Sequence, residues 1–554
     1  MLNIFIYFFF MFISFMVLFM LSMISYMMDW VVMLEWLMVS ANSINIELML
    51  LMDWISLLFI SFIMMISSVI ILYSYIYMMG SKFINRFIFL IILFVLSMVL
   101  MIMSPNIISI MFGWDGLGVV SYCLIIFYQN YSSYNSGMVT VLCNRIGDVG
   151  LLMSVSLLMI KGSWNLMLIS ISDKLVVGML LVAAMTKSAQ IPFSPWLPLA
   201  MAAPTPVSAL VHSSTLVTAG VYLMIRFNKL LMDSKLNSML FFLSVFTMFM
   251  AGVMANLEVD LKKIIALSTL SQLGLMMMIL SLSLEMIAYY HLLVHAVFKS
   301  MLFMCAGVII HSMSNNQDIR LFGNLKEMIP FVMMCFFIAS LALCGFPFMA
   351  GFYSKDFIME LVYSVGLNTY IFSFILFSLV LTVSYSLRLF YYMFFSSMKF
   401  YSYMGLSEDS LINISMMLLS SLSIIIGSLL NWLFFSDYYL MFLSMDIKLL
   451  TLMMCLGGVV GIFLLFSMKS LYINFYMSYF FSSMWFLNYL YLWVYKPVNK
   501  MGVEVYIMDN TWIEFKGKDL LFYVVKYFNK NLIFKVYMNM FIFIYLLLMI
   551  YLLW

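Results

Sequence analysis

The chain has very little charge. Of its 554 residues, only 9% are Asp, Glu, Lys or Arg, while 66% are hydrophobic. Soluble domains carry about 25% charged residues and about 45–50% apolar ones, so these few polar groups could not cover a soluble protein of this length. The net charge of +3 is spread thinly and forms no basic patch, which argues against a nucleic-acid partner.

The sequence also lacks the cysteine pattern of a disulfide framework or a zinc site. Its six cysteines all fall in apolar runs without paired spacing, where a cysteine usually acts as a small hydrophobe. Alanine is scarce, and 61 methionines take its place, a bias that suggests an AT-rich organellar genome. The N-terminus has no basic segment or small-residue cleavage site, so we expect a retained helix and not a signal peptide.

Long apolar runs dominate what is present. Only helices or closed barrels can pair every backbone polar group in lipid, and barrel strands would alternate apolar and polar residues. The runs do not alternate, so we predict an all-α polytopic membrane protein with about fifteen transmembrane helices of about 20 residues. The predicted spans are residues 4–24, 53–76, 86–104, 106–127, 137–160, 176–191, 205–226, 240–256, 263–282, 285–311, 330–349, 370–395, 411–432, 448–467 and 536–554.

Two segments are too polar to span. Residues 29–53 are predicted to form a loop outside the membrane, and charges spaced through residues 496–535 favour a lateral amphipathic helix, with a loose connector as the alternative. The predicted divisions are 1–105 (N-terminal helices and loop), 106–226 and 240–395 (two repeats), 396–495 (additional helices), 496–535 (lateral helix) and 536–554 (C-terminal anchor helix).

Two apolar stretches are interrupted by proline and glycine, near residues 187–198 and 345–356. Proline removes a backbone donor and frees a carbonyl, which a membrane tolerates only inside protein or beside a wet cavity. Each stretch also carries a lysine, Lys187 and Lys355. Paired interruptions of this kind indicate a transporter with two inverted-repeat helical units and its site at the breaks.

Several charges fall inside apolar runs, where each costs about 2.5–3.5 kcal/mol. Asp115 is either a functional carboxylate or a loop aspartate at a glycine-rich bend. Arg145 and Asp148 are three residues apart and can form an ion pair that supports the helices or takes part in transport. Lys187 either lies in a hydrated pocket or extends to the membrane interface.

The four histidines carry the most information. His291, His295 and Lys299 follow a spacing of four, so they share one face of a helix over about 12 Å. Histidine titrates near neutral pH and can pass a proton in either direction, so this stripe and His212 indicate a proton path. His311 ends its run and is predicted to lie at the interface.

A metal site is the rival interpretation of the same stripe. The His-x-x-x-His spacing suits a metal, but Leu292 stands where a zincin has its glutamate, and no third ligand is near in sequence. The sequence also shows no phosphate loop, haem motif or Rossmann glycines. Proton transfer between lysine and carboxylate needs no cofactor, because making or breaking such a pair loads or unloads a proton.

Together these residues resemble the antiporter-like subunits of respiratory complex I, over about residues 50–400. The matching motifs are residues 113–118 (GWDGLG), 144–148 (NRIGD), 184–192 (AMTKSAQIP), 203–212 (APTPVSALVH), 291–299 (HLLVHAVFK) and 351–356 (GFYSKD). The sequence departs from the family's pattern in two ways: the family commonly has glutamate at position 115, and this chain has one predicted span before residue 29 where the family often has two.

The resemblance implies a role for each matched position. Asp115 would pair with Lys187, and Lys187 and Lys355 would be the broken-helix lysines of the two repeats. The polar axis between them would consist of His212, His291, His295 and Lys299. Arg145 and Asp148 would form a supporting ion pair.

The resemblance also implies partners and a location. The chain would bind no cofactor or metal itself, while NADH, FMN, iron–sulfur clusters and ubiquinone would be bound by partner subunits. Its neighbours would be other complex I membrane subunits, above all an adjacent antiporter-like subunit, and lipids of the mitochondrial inner membrane. The alternatives are a subunit of a multisubunit cation/proton antiporter and a structural scaffold, although a scaffold leaves the buried charges unexplained.

Overall fold

The computed structural model describes residues 2–41, 44–167, 174–399, 408–436, 442–467 and 475–552. They form two compact units, which divide between Trp485 and Phe486. The first unit begins with α1 (Leu2–Met27), β1 (Val32–Ala41), β2 (Ile44–Met52), α2 (Trp54–Tyr77), α3 (Ile84–Met103), α4 (Ile107–Ile125), α5 (Tyr131–Leu158), α6 (Lys174–Lys187), α7 (Trp196–Leu199), α8 (Thr205–Val207), α9 (Leu216–Arg226) and α10 (Asn228–Ser234).

The first unit then adds a second group of helices. They are α11 (Asn237–Leu257), α12 (Leu261–Ser281), α13 (Glu285–Ser312), α14 (Leu325–Met328), α15 (Pro330–Cys344), α16 (Ala350–Ser364), α17 (Thr369–Phe390), α18 (Ser410–Leu430), α19 (Met445–Ser467) and α20 (Phe475–Ser482). A π-helical segment, Ser208–Thr215, joins α8 to α9. The helices α2, α12 and α13 are almost wholly buried and form the centre of this unit.

Thirteen helices in the described part of the chain are long and apolar enough to cross a membrane. Two further predicted spans, 176–191 and 330–349, are shorter helices, because α6 has 14 residues and α15 has 15 before each reaches a break. The all-α polytopic fold is therefore confirmed. Each predicted repeat, 106–226 and 240–395, contains one of these interrupted helices.

The second break depends on a glycine. The α15 helix ends at Cys344, and α16 begins again at Ala350. A Cβ atom at Gly351 would collide with the carbonyl oxygen of Ala342, so only glycine lets the first turn of α16 pack this closely on α15. The close approach holds the two halves of the interrupted helix together.

Residues 29–53 differ from the predicted loop. They contain an antiparallel hairpin in which Val32 lies opposite Met52, with an irregularity between Leu37 and Val39. The scattered charges suggested a loop, but the hydrophobic side chains between them suit paired strands. Asp53 follows the hairpin and caps α2 by accepting a hydrogen bond from the Ser56 amide.

The second unit is helical from Leu487 onward. It contains α21 (Leu487–Met508), two π-helical segments, Asp509–Ile513 and Phe515–Asp519, and α22 (Leu520–Leu552). The predicted lateral helix over 496–535 is thus helical and not a loose connector. No break separates it from the predicted anchor at 536–554, because α22 passes through residue 535 as one helix; residues 553 and 554 lie outside the described part.

Candidate functional site

The first break leaves Lys187 at the last position of α6, fully buried. Its ammonium donates to the backbone carbonyl of Trp114 at 3.4 Å and lies 4.9 Å from the centre of the Trp114 ring. This burial argues against the alternative that Lys187 extends to the membrane interface. The site is close-packed, since a Cβ atom at Gly118 would lie 3.8 Å from the Lys187 nitrogen.

Acidic and basic groups of α4 and α5 lie beside this lysine. Arg145 lies 3.3 Å from Asp148 and 3.9 Å from Asp115, so the predicted Arg145–Asp148 pair is confirmed. Asp148 also accepts a hydrogen bond of 2.9 Å from the indole of Trp114. Lys187 and Asp148 therefore bond to the same residue, Trp114.

This arrangement differs from the direct Asp115–Lys187 pair that the resemblance implies. Among the described ion pairs, Asp115 contacts only Arg145, and its side chain is 44% exposed. Asp148 lies deeper, with 10% of its side chain exposed. Asp115 is within α4 and not in a loop. Its side chain is shorter than the glutamate that the family commonly has there, and its carboxylate does not reach Lys187.

His212 lies in the π-helical segment beyond the first break, where Pro204 and Pro206 precede it. Its ring is buried and lies 6.3 Å, centre to centre, from the ring of Trp196. Neither ring nitrogen has a hydrogen-bond partner among the described residues. Such a buried histidine is free to accept or donate a proton without first breaking a bond.

The stripe on α13 is buried along its whole length. The rings of His291 and His295 are 6.3 Å apart, and His295 has no hydrogen-bond partner within the described ranges. His291 bonds through its two nitrogens to the Ser354 hydroxyl at 2.9 Å and the Gln272 amide oxygen at 3.2 Å. Lys299 donates to the Ser268 hydroxyl at 2.5 Å.

The second break places Lys355 in α16, buried, with its ammonium 2.9 Å from the Thr382 hydroxyl. A cavity of about 20 Å³ adjoins the lysine and is also lined by Asp356, Cys344 and Cys455. Space of that size holds about one water molecule. Asp356 accepts a hydrogen bond of 2.7 Å from Thr451 on α19.

Several polar residues that the sequence analysis passed over belong to this site. Ser268 and Gln272 are four apart on α12 and contact the two ends of the α13 stripe, Lys299 and His291; their spacing could have suggested a polar face. Thr382 carries no such signal, because its lysine partner is 27 residues away. Lys262 is also buried and donates to the carbonyl of Ala203 at 3.3 Å, next to the first break.

His311 lies outside this group. It is exposed near the end of α13, and its ring is 5.7 Å from that of Tyr77. The position agrees with the predicted interfacial location. The remaining lysines and histidines are buried, and His291, Lys299 and Lys355 bond to hydroxyl or amide side chains. Buried groups of this kind support proton exchange without a redox centre.

Three family models match successive parts of the chain. Residues 36–88 match "NADH-Ubiquinone oxidoreductase (complex I), chain 5 N-terminus", residues 104–382 match "NADH:quinone oxidoreductase/Mrp antiporter, TM", and residues 385–553 match "NADH dehydrogenase subunit 5 C-terminus". The second of these contains every predicted site residue.

Curated relatives cover almost the whole chain. NADH-ubiquinone oxidoreductase chain 5 of Anopheles gambiae is 50% identical over 90% of this chain and 89% of its own. The protein of the same name from Locusta migratoria is 48% identical over 92% of both.

Solved structures share the fold. A chain of the Mrp complex from Dietzia sp. DQ12-45-1b matches with a TM-score of 0.73 and 22% identity, covering 89% of this chain and 57% of that one. The present chain thus spans little more than half of the Mrp chain. A chain of an archaeal membrane-bound sulfane sulfur reductase matches with a TM-score of 0.60 and 22% identity, over 74% of this chain and 82% of that one.

Proposed function

The chain belongs to the family of NADH-ubiquinone oxidoreductase chain 5, and we propose that protons cross it along the buried series from Lys187 to Lys355. It is a proton-translocating membrane subunit of respiratory complex I, the NADH:ubiquinone oxidoreductase. The similarity to the Mrp chain is only 22% identity and supports the fold alone, so a cation/proton antiporter is not favoured.

The main support for the proposed path is the number of buried titratable side chains. Six titratable side chains within or next to the central helices are at most 5% exposed. They are Lys187, His212, His291, His295, Lys299 and Lys355. Burying so many ionisable groups in apolar surroundings is costly. A structural role could be filled by residues that do not titrate, so the set favours a role in proton transfer.

The proposed switch lies at Lys187. Its carbonyl partner, Trp114, also bonds to Asp148, and Arg145 contacts both Asp148 and Asp115. When Arg145 turns away from Asp148, the carboxylate favours a charged Lys187; when Arg145 returns, the lysine releases its proton toward His212. Asp115 and Arg145 thereby control the lysine through Asp148.

The exposed charges beside Lys187 indicate where a partner subunit would bind. Arg145 and Asp115 lie within membrane-spanning helices, yet 54% and 44% of their side chains are exposed in this chain. Lipid would not stabilise these charges, so we propose that a neighbouring antiporter-like subunit of complex I covers them. Membrane lipids would cover the apolar remainder, in the mitochondrial inner membrane.

The proposal assigns no redox centre to this chain. NADH, FMN, iron–sulfur clusters and ubiquinone would be bound by partner subunits, and their electron transfer would drive the proton steps here. Copurification of the chain with flavin and iron–sulfur subunits tests this assignment. A chain that purifies as an active ion exchanger without them would contradict it.

The substitution Lys187→Met tests the path. Methionine fills a similar volume without a titratable group, so we expect proton flow through this subunit to fall by about a hundredfold or more while the complex assembles. Purified complex in liposomes, assayed for NADH-driven proton translocation, should move fewer protons per electron.

Lys174→Met is the matched control, because Lys174 is exposed at the other end of α6. It should leave the proton-to-electron ratio unchanged. A normal ratio in Lys187→Met would overturn the proposed path.

A further inference from the structure

The proposed path has a gap between its last two lysines. Lys299 on α13 donates to Ser268 on α12, and Lys355 on α16 donates to Thr382 on α17. The two ammonium groups interact electrostatically, but each is hydrogen-bonded to the hydroxyl of a different helix. A proton that passes from one lysine to the other must therefore cross from the Ser268 side to the Thr382 side.

Tyr385 lies on the same helix as Thr382 and near the helix that carries Ser268. It lies three residues after Thr382 on α17, so both side chains share one face of that helix. The tyrosine is 1% exposed. Its hydroxyl is near the side chains of Ser268, Ser271 and Gln272 on α12.

The hydroxyl of Tyr385 is not committed to any of these neighbours. It makes no hydrogen bond of normal geometry within the described part of the chain, although a buried hydroxyl is costly to leave unpaired. Other buried tyrosines differ in this respect. Tyr289 donates to the carbonyl of Ile55 at 2.7 Å, and Tyr290 donates to the carbonyl of Gly427 at 2.7 Å.

We propose that the Tyr385 hydroxyl relays protons between Lys299 and Lys355, a role that rests on the proposed path. The Lys299 ammonium loses a proton to the Ser268 oxygen, and the proton that Ser268 had donated to the Ile265 carbonyl passes to the Tyr385 oxygen. The tyrosine releases its hydroxyl proton to the Thr382 oxygen, and the proton that Thr382 had donated to the Leu379 carbonyl passes to the neutral amine of Lys355. Each hydroxyl gains one proton and loses one, so only the two lysines change charge.

A hydroxyl with no fixed partner suits this exchange. It can exchange a proton without first breaking a bond to a backbone carbonyl, as Tyr290 would have to do. The aromatic ring, buried on α17, holds the oxygen near α12. Tyr385 therefore differs from Tyr289 and Tyr290, whose hydroxyls are bonded to backbone carbonyls.

The test is Tyr385→Phe in the intact complex reconstituted in liposomes. The ring is kept and only the oxygen is lost, so we expect NADH-driven proton translocation to slow about tenfold, the rate equivalent of one hydrogen bond. The solvent deuterium isotope effect on that rate should increase, because proton transfer becomes limiting. A purely structural loss would not change the isotope effect.

Tyr290→Phe is the matched control, since it removes an equally buried hydroxyl that is bonded to the carbonyl of Gly427 and to none of the path residues. It should leave the isotope effect as in the unmodified complex. If both variants slow the complex equally without an isotope effect, Tyr385 is structural and the inference is wrong. If Tyr385→Phe does not assemble, Ser268→Ala removes the preceding hydroxyl and is expected to give the same isotope effect; an unchanged isotope effect there also overturns the relay.

Lys299→Met separates this inference from the path on which it rests. Loss of proton translocation in Lys299→Met together with a normal Tyr385→Phe complex would overturn the tyrosine relay and leave the path intact. Normal translocation in Lys299→Met would overturn the path itself.

Discussion

At the scale of single residues, the partner of Lys187 is the main correction to the sequence analysis. The resemblance assigned that role to Asp115, yet Asp115 contacts Arg145 and is 44% exposed. Asp148, which the sequence suggested only as support, lies deeper and bonds to the indole of Trp114. The lysine in turn bonds to the carbonyl of the same Trp114, so this residue connects acid and base.

We therefore expect Asp148→Asn to slow proton translocation more than Asp115→Asn does. The asparagine oxygen can still accept the Trp114 indole bond, so the variant removes charge and keeps the geometry. A lost charge-assisted partner corresponds to about tenfold or more in rate, measured as NADH-driven acidification. Equal rates in the two variants, or a slower Asp115→Asn complex, would contradict the assignment.

At the scale of elements, one ion pair joins the start of α2 to the end of α9. Arg226 forms two hydrogen bonds with the Asp53 carboxylate, at 2.5 and 2.6 Å, and a third with the hydroxyl of Tyr222 at 2.8 Å. Tyr222 itself donates to the carbonyl of Ile102 at the end of α3. These contacts hold the helix that follows His212 in place against the start of α2 and the end of α3.

We expect Asp53→Asn to destabilise the complex by about 3–5 kcal/mol, because it leaves Arg226 buried without its counter-charge. Thermal unfolding of the detergent-solubilised complex would measure the loss. Asp318→Asn is the control, since Arg320 in its pair is 63% exposed and exposed pairs contribute about 0–1 kcal/mol. Equal losses in the two variants would contradict the role of Asp53.

The pH dependence of this pair has a definite sign. Burial raises the pKa of Asp53, but hydrogen bonds from Arg226 and Ser56 and the Arg226 charge outweigh it and hold the pKa below its ordinary value of 3.8. The pair therefore contributes its full stability above about pH 4 and loses it as the pH falls through the lowered pKa. Asp53→Asn should remove that acid-dependent part of the unfolding profile.

At the scale of the whole molecule, the isolated chain leaves charge at membrane depth uncovered. The exposed side chains of Arg145 and Asp115 belong to spanning helices, and each would be costly in lipid. The family implies that this chain works beside other complex I membrane subunits. Under the proposal above, the charge pair marks the part of its surface that such a neighbour covers.

We expect Arg145→Gln to weaken attachment of this subunit to the rest of complex I, since the covered surface loses a charge that a neighbour would pair. Native gel electrophoresis at increasing detergent should release the variant subunit earlier than the unmodified one. Arg86→Gln is the control, because Arg86 is exposed in the first turn of α3. Equal retention of both variants would contradict the interface.

The sequence by itself determined the helical membrane fold, the two interrupted helices and the set of ionisable groups near them. These are local properties: apolar run length, proline, and helical spacing along α13 are all visible within about 30 residues. The tertiary structure alone decided which groups meet, because Lys187 lies 73 residues from its Trp114 partner and His291 lies 63 from Ser354. The hairpin at residues 32–52 and the unpaired hydroxyl of Tyr385 could also be seen only in the tertiary structure. Strand pairing and hydrogen bonding depend on which residues lie nearby in space, and the local sequence does not show that.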